Sequence, residues 1–246
     1  MWIPSWLGEA YARLYRDFRL EIFTFDDAQR SLNLDKPMLN MVLSKLHRER
    51  LVTIFSKSRP RNYRLLDPKS FILLASGILK KIQHIKQERY INLLCSAAIK
   101  ALENYNLTSF VIYGSVARGT AKNESDVDTL IISDDFVGSV GSRIEKLCKI
   151  EDSIKDELNW LRLKEVFADF SFYPFRREEV ERLPLLLLDL TEDAIIIVDR
   201  ENYFENLLIK LKAKLISTDA KRVFIDQDKW YWDLKPDLKV EEIFQV

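Results

Sequence analysis

The residues best suited to chemistry lie between positions 110 and 132, in the run Phe-Val-Ile-Tyr-Gly-Ser-Val-Ala-Arg-Gly-Thr-Ala-Lys-Asn-Glu-Ser-Asp-Val-Asp-Thr-Leu-Ile-Ile. An apolar strand enters Gly114-Ser115 at the start of a short helix, so backbone N–H groups and the Ser115 hydroxyl face whatever lies beyond the strand end, and a phosphate fits there. Glycine is expected at 114 because a side chain would hold a triphosphate away from those N–H groups. Arg118 and Gly119 close the turn, with Arg118 either bonding phosphate or bracing the loop. Asp126 and Asp128 then alternate through Val127 on the next strand, and a period of two points both carboxylates to one face. Two carboxylates that close repel unless a cation sits between them. Mg²⁺, or the similar Mn²⁺, takes oxygen ligands and bridges carboxylates to phosphate oxygens. An isolated Asp-x-Asp has little specificity. The ordered set of strand, Gly-Ser-x-Ala-Arg-Gly, Ser-Asp-x-Asp and strand is far more specific.

This set resembles the signature of the DNA polymerase beta type nucleotidyltransferase superfamily, and within it the small stand-alone nucleotidyltransferases of archaea and bacteria. Gly114, Ser115, Arg118, Gly119, Ser125, Asp126 and Asp128 match the pattern, whereas Thr129 stands where an apolar residue usually follows. The resemblance implies a small mixed β-sheet flanked by helices. It also implies a nucleotide held by Gly114, Ser115, Arg118 and Ser125, with Mg²⁺ or Mn²⁺ on the aspartates. A third carboxylate from a neighbouring strand is implied as well, and the candidates are Asp134, Asp135, Glu165 and Asp169. The first two end a strand and read as loop residues. From Val166 to Tyr173, by contrast, Val166, Ala168, Phe170 and Phe172 alternate as a buried face, leaving Phe167, Asp169 and Ser171 on the other. An acid among aromatics is costly to bury without a partner, so Asp169 is expected beside Asp126 and Asp128 as a third metal ligand and catalytic residue. The alternative is an edge-strand aspartate facing water.

The elements that must position these residues follow from apolar spacing. Leu7, Tyr11, Leu14 and Phe18 recur at steps of three and four and predict a helix. A second is expected over Phe25 to Leu32 with Thr24 and Asp26 as capping candidates, and a third from Asp35 with Pro37 in its first turn. Leu51 to Ser56 and Tyr63 onward read as two strands joined by the basic loop Lys57-Ser-Arg-Pro-Arg-Asn. Three helices and a hairpin make a winged helix-turn-helix over residues 1–70. A helical connector is expected over 71–105, with a stripe of Ile91, Leu94, Ala98, Ala101 and Tyr105. Residues 106–246 then read as the nucleotidyltransferase domain with a C-terminal extension, with strands near Phe110–Tyr113, Thr129–Ser133, Val166–Tyr173 and Ala194–Val198. The whole is an α+β chain. The wing sequence Pro60-Arg-Asn-Tyr-Arg64 and the ending Trp230-Tyr-Trp-Asp-Leu-Lys-Pro-Asp237 further resemble archaeal proteins that fuse a winged helix to such a domain.

Composition narrows the class. Apolar residues make up 47% and charged residues 31% of 246, the balance of a folded globular chain. The 38 basic and 38 acidic residues cancel, but residues 1–70 hold 13 Lys/Arg against 8 Asp/Glu, leaving 25 against 30 for the remainder. A basic front module on a more acidic body is expected. Within it Lys45 and Arg48 on the polar face of the third helix, and Lys57, Arg59 and Arg61 on the wing, are the candidate contacts to duplex DNA; the alternative is a solvated basic face. Cys95 and Cys148 are expected as buried free thiols, and His47 and His84 as surface or linker residues without ligand spacing. Trp230, Tyr231 and Trp232 are expected to pack over the domain, and Glu178 to Glu181 to begin a solvated helix. No apolar run approaches the ~20 residues needed to span a bilayer, so a cytoplasmic protein without a membrane partner is expected. The function implied is metal-dependent transfer of a nucleotide from an NTP, ATP by preference, to a protein, RNA or small-molecule hydroxyl. The rival is a DNA-binding regulator or antitoxin-like protein whose transferase domain binds a nucleotide or partner without catalysis.

Overall fold

The computed structural model describes residues 3–226 and 229–236; Asp237, the last residue of the C-terminal motif, lies outside them. α1 (Ser5–Phe18) buries Leu7, Ala10, Tyr11 and Leu14 along one stripe. α2 (Phe25–Leu32) opens on a capping box: the Asp27 N–H donates to the Thr24 hydroxyl at 3.3 Å while the Thr24 N–H donates to the Asp27 carboxylate at 2.9 Å. Asp26, the other capping candidate, sits inside the first turn. α3 (Lys36–Arg48) is capped by Asp35, which accepts from the Met38 N–H at 2.9 Å, and Pro37 lies where its missing N–H leaves no bond unmade. β1 (Val52–Ser56) and β2 (Asn62–Leu65) form an antiparallel hairpin, and Phe23, from the link between α1 and α2, bridges to Tyr63 as a third short rung.

α4 (Pro68–Ala75) starts at Asp67, whose carboxylate accepts from the Lys69 and Ser70 N–H groups. Two single 3-10 turns, Ile82–His84 and Glu88–Tyr90, lead into α5 (Ile91–Asn104), which is buried on nearly every side. The remaining elements are β3 (Leu107–Ile112), α6 (Gly114–Arg118), β4 (Val127–Ser133), α7 (Val140–Ser153), α8 (Lys155–Arg162), β5 (Phe170–Phe175), α9 (Arg177–Val180), α10 (Leu186–Asp193), β6 (Ile195–Asp199), α11 (Tyr203–Ser217), β7 (Lys221–Phe224) and β8 (Trp230–Asp233). The main sheet has the order β5-β4-β3-β6, with β4 and β5 parallel and the other pairs antiparallel. It is the small mixed sheet flanked by helices that the sequence implies. The strand expected from Val166 begins only at Phe170, and the β7–β8 hairpin was not legible in the sequence.

Period-two alternation gives the sheet two apolar faces. Phe110, Ile112, Val127, Ile131 and Phe172 join α5, α7 and α8 in one core, whereas Val111, Leu130, Ile132 and Ile196 join α10 and α11 in another. The first core runs without a break into Leu14, Leu39, Leu46 and Leu65 of the N-terminal helices and hairpin. Arg64 reinforces that junction. Buried on β2, it makes two bonds to Glu157 at 2.5 and 2.7 Å, donates to the Leu20 carbonyl at 2.7 Å, and lies 3.5 Å over the Trp160 ring.

Candidate active site

The approach of Gly114 to Asp128 defines the centre of the site. Gly114 begins α6 with φ +68, and a Cβ built on it would stand 2.0 Å from Asp128 Oδ2. Glycine is required there because the carboxylate occupies the space a side chain would fill, a steric reason different from the phosphate access that the sequence suggested. The Tyr113 N–H donates to the Asp128 carbonyl at 3.1 Å and fixes the same approach from the backbone. Ser115 follows half-buried in the first turn of α6.

β4 begins at Val127, so Asp126 is the exposed residue just before the strand and not a strand residue as expected; Asp128 is half-buried two positions on. Burial pushes the Asp128 carboxyl above its ordinary range, the Asp126 carboxylate pushes it further up, and Arg118 opposes both. A cation between the two aspartates would relieve this penalty, and the donor set is the hard-oxygen type that Mg²⁺ or Mn²⁺ takes. The residues therefore fit such an ion. Burial and the nearby Asp128 also raise the Tyr113 hydroxyl, and the Tyr113 ring meets Tyr173 edge-on at 6.2 Å.

Asp169 does not join the pair. Its backbone is adjacent, since the Val127 N–H donates to the Asp169 carbonyl at 2.8 Å, but its exposed carboxylate accepts from Arg162 at 2.9 Å. The alternation behind this candidate holds in part: Val166, Ala168 and Phe172 are buried and Phe167 and Asp169 exposed, but Phe170 and Ser171 are both half-buried. Among the described residues no group of three or more His, Cys, Asp or Glu is placed to hold one metal ion. Asp134 and Asp135 lie in the loop after β4, as expected, and Asp134 pairs with Arg177.

Arg118 leans away from the loop toward the C-terminal hairpin, 3.5 Å from Asp193 and 5.1 Å from the centre of the Trp230 ring. Arg222 shares both partners, at 2.9 Å from Asp193 and 3.9 Å over Trp230, while the Trp230 and Trp232 indole N–H groups donate to Asp189 at 2.7 and 2.9 Å. Trp230 and Trp232 thus pack on α10, as expected, whereas Tyr231, expected to pack with them, is exposed. The Ser125 hydroxyl accepts from the Lys122 N–H at 2.8 Å and shapes the loop before the aspartates. Sequence reasoning missed the residues that grip this loop, Lys86, Gln87, Arg89 and Tyr90, because a polar connector carries no motif.

Elsewhere, Lys57, Arg59 and Arg61 are all exposed on the β1–β2 loop. Lys45 lies 4.9 Å over the Trp6 ring and Arg48 pairs with Glu49. Cys95 is buried as expected; Cys148 is exposed on α7, because its position falls on the outer side of the stripe set by Leu147 and Ile150. His84 is exposed, but His47 is bonded to Glu88 at 2.8 Å. Among the described residues no helix is long and apolar enough to cross a membrane.

With this geometry in place, comparison with known proteins gives the class. Residues 95–186, from within α5 to the first residue of α10, match the model of the nucleotidyltransferase domain family, and with the relative described next this supports nucleotidyltransferase as the enzyme class. A relative from Methanocaldococcus jannaschii, named "Putative protein adenylyltransferase MJ1305", is 28% identical over 124 residues, 50% of this chain and 79% of the relative. A chain from the crystal structure of a toxin-antitoxin with AMP-PNP is similar over 49% of this chain and 84% of its own length, at 15% identity and a TM-score of 0.36. TrmBL2, an archaeal chromatin protein, is similar over 85% of this chain and 92% of its own, at 14% identity and a TM-score of 0.25.

Proposed function

We propose that the chain transfers a nucleotide, AMP from ATP by preference, to a hydroxyl acceptor at the Gly114–Asp128 contact. The observation that carries this reading is the close approach itself: a helix start with no side chain, pressed against a half-buried carboxylate that a second carboxylate disfavours. In the transfer the acceptor oxygen bonds to the α-phosphorus, the bond from that phosphorus to the bridging oxygen breaks, and pyrophosphate leaves with the electron pair. Asp126 and Asp128 would hold the divalent cation, which when bound lowers the acceptor's pKa and offsets charge on the leaving group. Ser115 and the first N–H groups of α6 would orient the β- and γ-phosphates. Arg118 serves the phosphates only by leaving Asp193 and Trp230. Asp169 serves as third ligand only by leaving Arg162. A protein hydroxyl is the acceptor that the name of the M. jannaschii relative suggests.

The N-terminal helices and hairpin, over residues 1–70, are proposed to be a winged helix that binds duplex DNA, with 71–105 as connector and 106–246 as the catalytic unit. The Phe23 bridge to the hairpin and the exposed basic loop support this.

The test is incubation of the full chain with Mg²⁺, α-labelled NTPs and cell extract, locating the label on protein, RNA or small molecules. Label transfer that Asp126→Ala or Asp128→Ala lowers by roughly a thousandfold supports the reading, since ~1.4 kcal/mol of lost transition-state stabilisation is a factor of ten. Asp169→Asn should impair transfer more than triphosphate binding. Near wild-type transfer in the Asp126 or Asp128 variant would remove the assignment.

A further inference from the structure

The loop from Arg118 to Asn123 and the N-terminal module are held by one five-residue segment, Lys86 to Tyr90. On the loop side, Lys86 Nζ donates to the Arg118 carbonyl at 3.0 Å and its methylenes fill the space beside Gly119. The Gln87 amide pairs with both backbone groups of Ala121, donating to its carbonyl at 2.8 Å and accepting from its N–H at 3.1 Å. Arg89 donates to Asn123 Oδ1 at 2.8 Å, and the Tyr90 hydroxyl donates to the Lys122 carbonyl at 3.2 Å. The middle residue turns the other way. Glu88 accepts from His47 at 2.8 Å, from the Ile54 N–H at 2.6 Å and from Arg50, all in the N-terminal helices and hairpin. Burial raises the Glu88 carboxyl, but these donors outweigh it, and its net titration is lowered.

The loop so gripped delivers Asp126, which lies outside β4 and has no strand register of its own to set it against Asp128. Its place therefore depends on where Ala121 to Ser125 are held. We infer that Gln87 is a positioning residue for the aspartate pair, and that Glu88 makes the N-terminal module part of the same support. What the module does to His47, Arg50 or Ile54 is then felt at Asp126 through adjacent residues about 3.8 Å apart along the chain. The consequence for metal rests on the function proposed above; the mechanical part does not.

Two measurements on the full chain separate these. Amide hydrogen exchange reads the loop directly. Gln87→Ala and Glu88→Ala should each speed exchange of Lys122, Ser125 and Val127 by about tenfold or more relative to β3, the size of effect that losing one or two hydrogen bonds produces. Glu88 touches none of those residues, so its effect cannot be local. Glu157→Ala removes a different contact between module and domain, and should leave the ratio of loop to β3 exchange unchanged. Loop exchange at the wild-type ratio in Glu88→Ala overturns the coupling, and in Gln87→Ala overturns the positioning role. Calorimetry with Mn²⁺ and α,β-methylene-ATP reads the site. Gln87→Ala should weaken the Mn²⁺-dependent part of binding about tenfold, Gln87→Glu should fall between, and Asp128→Asn should abolish it. Equal Mn²⁺-dependent binding by wild type and Gln87→Ala overturns the inference at the site. No Mn²⁺-dependent binding by wild type, or no effect of Asp128→Asn, removes the proposed function while the exchange result still decides the clamp.

Discussion

Replacing Gly114 by alanine sets a methyl carbon 2.0 Å from Asp128 Oδ2 and 2.9 Å from its Cγ, at a φ of +68 that favours glycine. The backbone strain alone costs roughly 1–3 kcal/mol of stability. The larger effect is on chemistry, because the Asp128 carboxylate must give up its place to make room. Gly114→Ala is expected to lower transfer by at least about a hundredfold, roughly 3 kcal/mol of barrier, while the domain still melts cooperatively; measured rates with α-labelled ATP near wild type would show that the approach does not matter. This requirement was half legible in the sequence. Gly-Ser before Asp-x-Asp marks the strand end and helix start, but that the glycine makes room for the aspartate depends on β3 and β4 pairing in register, which no single-sequence pattern reveals. The third acid illustrates the same limit. Alternation separated Asp169 from the buried Val166 and Ala168, but its partner Arg162 is seven residues back on α8, and side-chain choice between an arginine and a metal is not encoded in spacing.

At the scale of elements, two short structures lend themselves to measurement. The β1–β2 loop exposes Lys57, Arg59 and Arg61 together, and with Lys45 and Arg48 of α3 they would make about four phosphate contacts with duplex DNA. Log K is then expected to fall with log[salt] at a slope near about −3.6, and Arg59→Ala to flatten it by about one, as read by fluorescence anisotropy. Absence of binding at low salt would leave the loop a solvated face. α9 offers a pH test. The Glu179 carboxyl is pushed down to about 2, first by its bonds to Arg143 at 2.7 and 3.0 Å, with the Arg176 N–H adding to it. A group whose folded pKa lies below its unfolded value stabilises the fold fully above the unfolded value and loses that contribution as pH falls through the folded one. The stability gap between wild type and Glu179→Gln should therefore be full near neutral pH and shrink between about pH 4.5 and pH 2, as urea denaturation would show. Helices with caps were readable in advance, as Thr24 and Asp35 show, because a cap is a local bond. The β7–β8 hairpin was not, since its residues are mostly half-exposed and none is fully buried, with Trp232 only skirting the second core.

For the molecule as a whole, the core runs unbroken from α1 to the sheet, so residues 1–70 and the sheet that carries the site are expected to unfold together. Their meeting point includes Arg64, which is almost entirely buried between Glu157 and Trp160. Glu157→Ala strands that guanidinium without its counter-charge and is expected to cost about 3 kcal/mol or more. It should do so by lowering a single transition in calorimetry; two resolved transitions would mean that module and domain unfold independently. The basic front and acidic body were visible in the distribution of charge, but their fusion was not, because an arginine on a strand gives no sign of which distant helix will receive it. The Trp230 indole has the guanidinium groups of both Arg118 and Arg222 against its ring, with its N–H on Asp189. Indole emission shifts in colour and yield when a neighbouring charge moves. An arginine drawn from that ring toward a triphosphate would therefore give the molecule a label-free optical report of nucleotide occupancy, readable without knowing the acceptor.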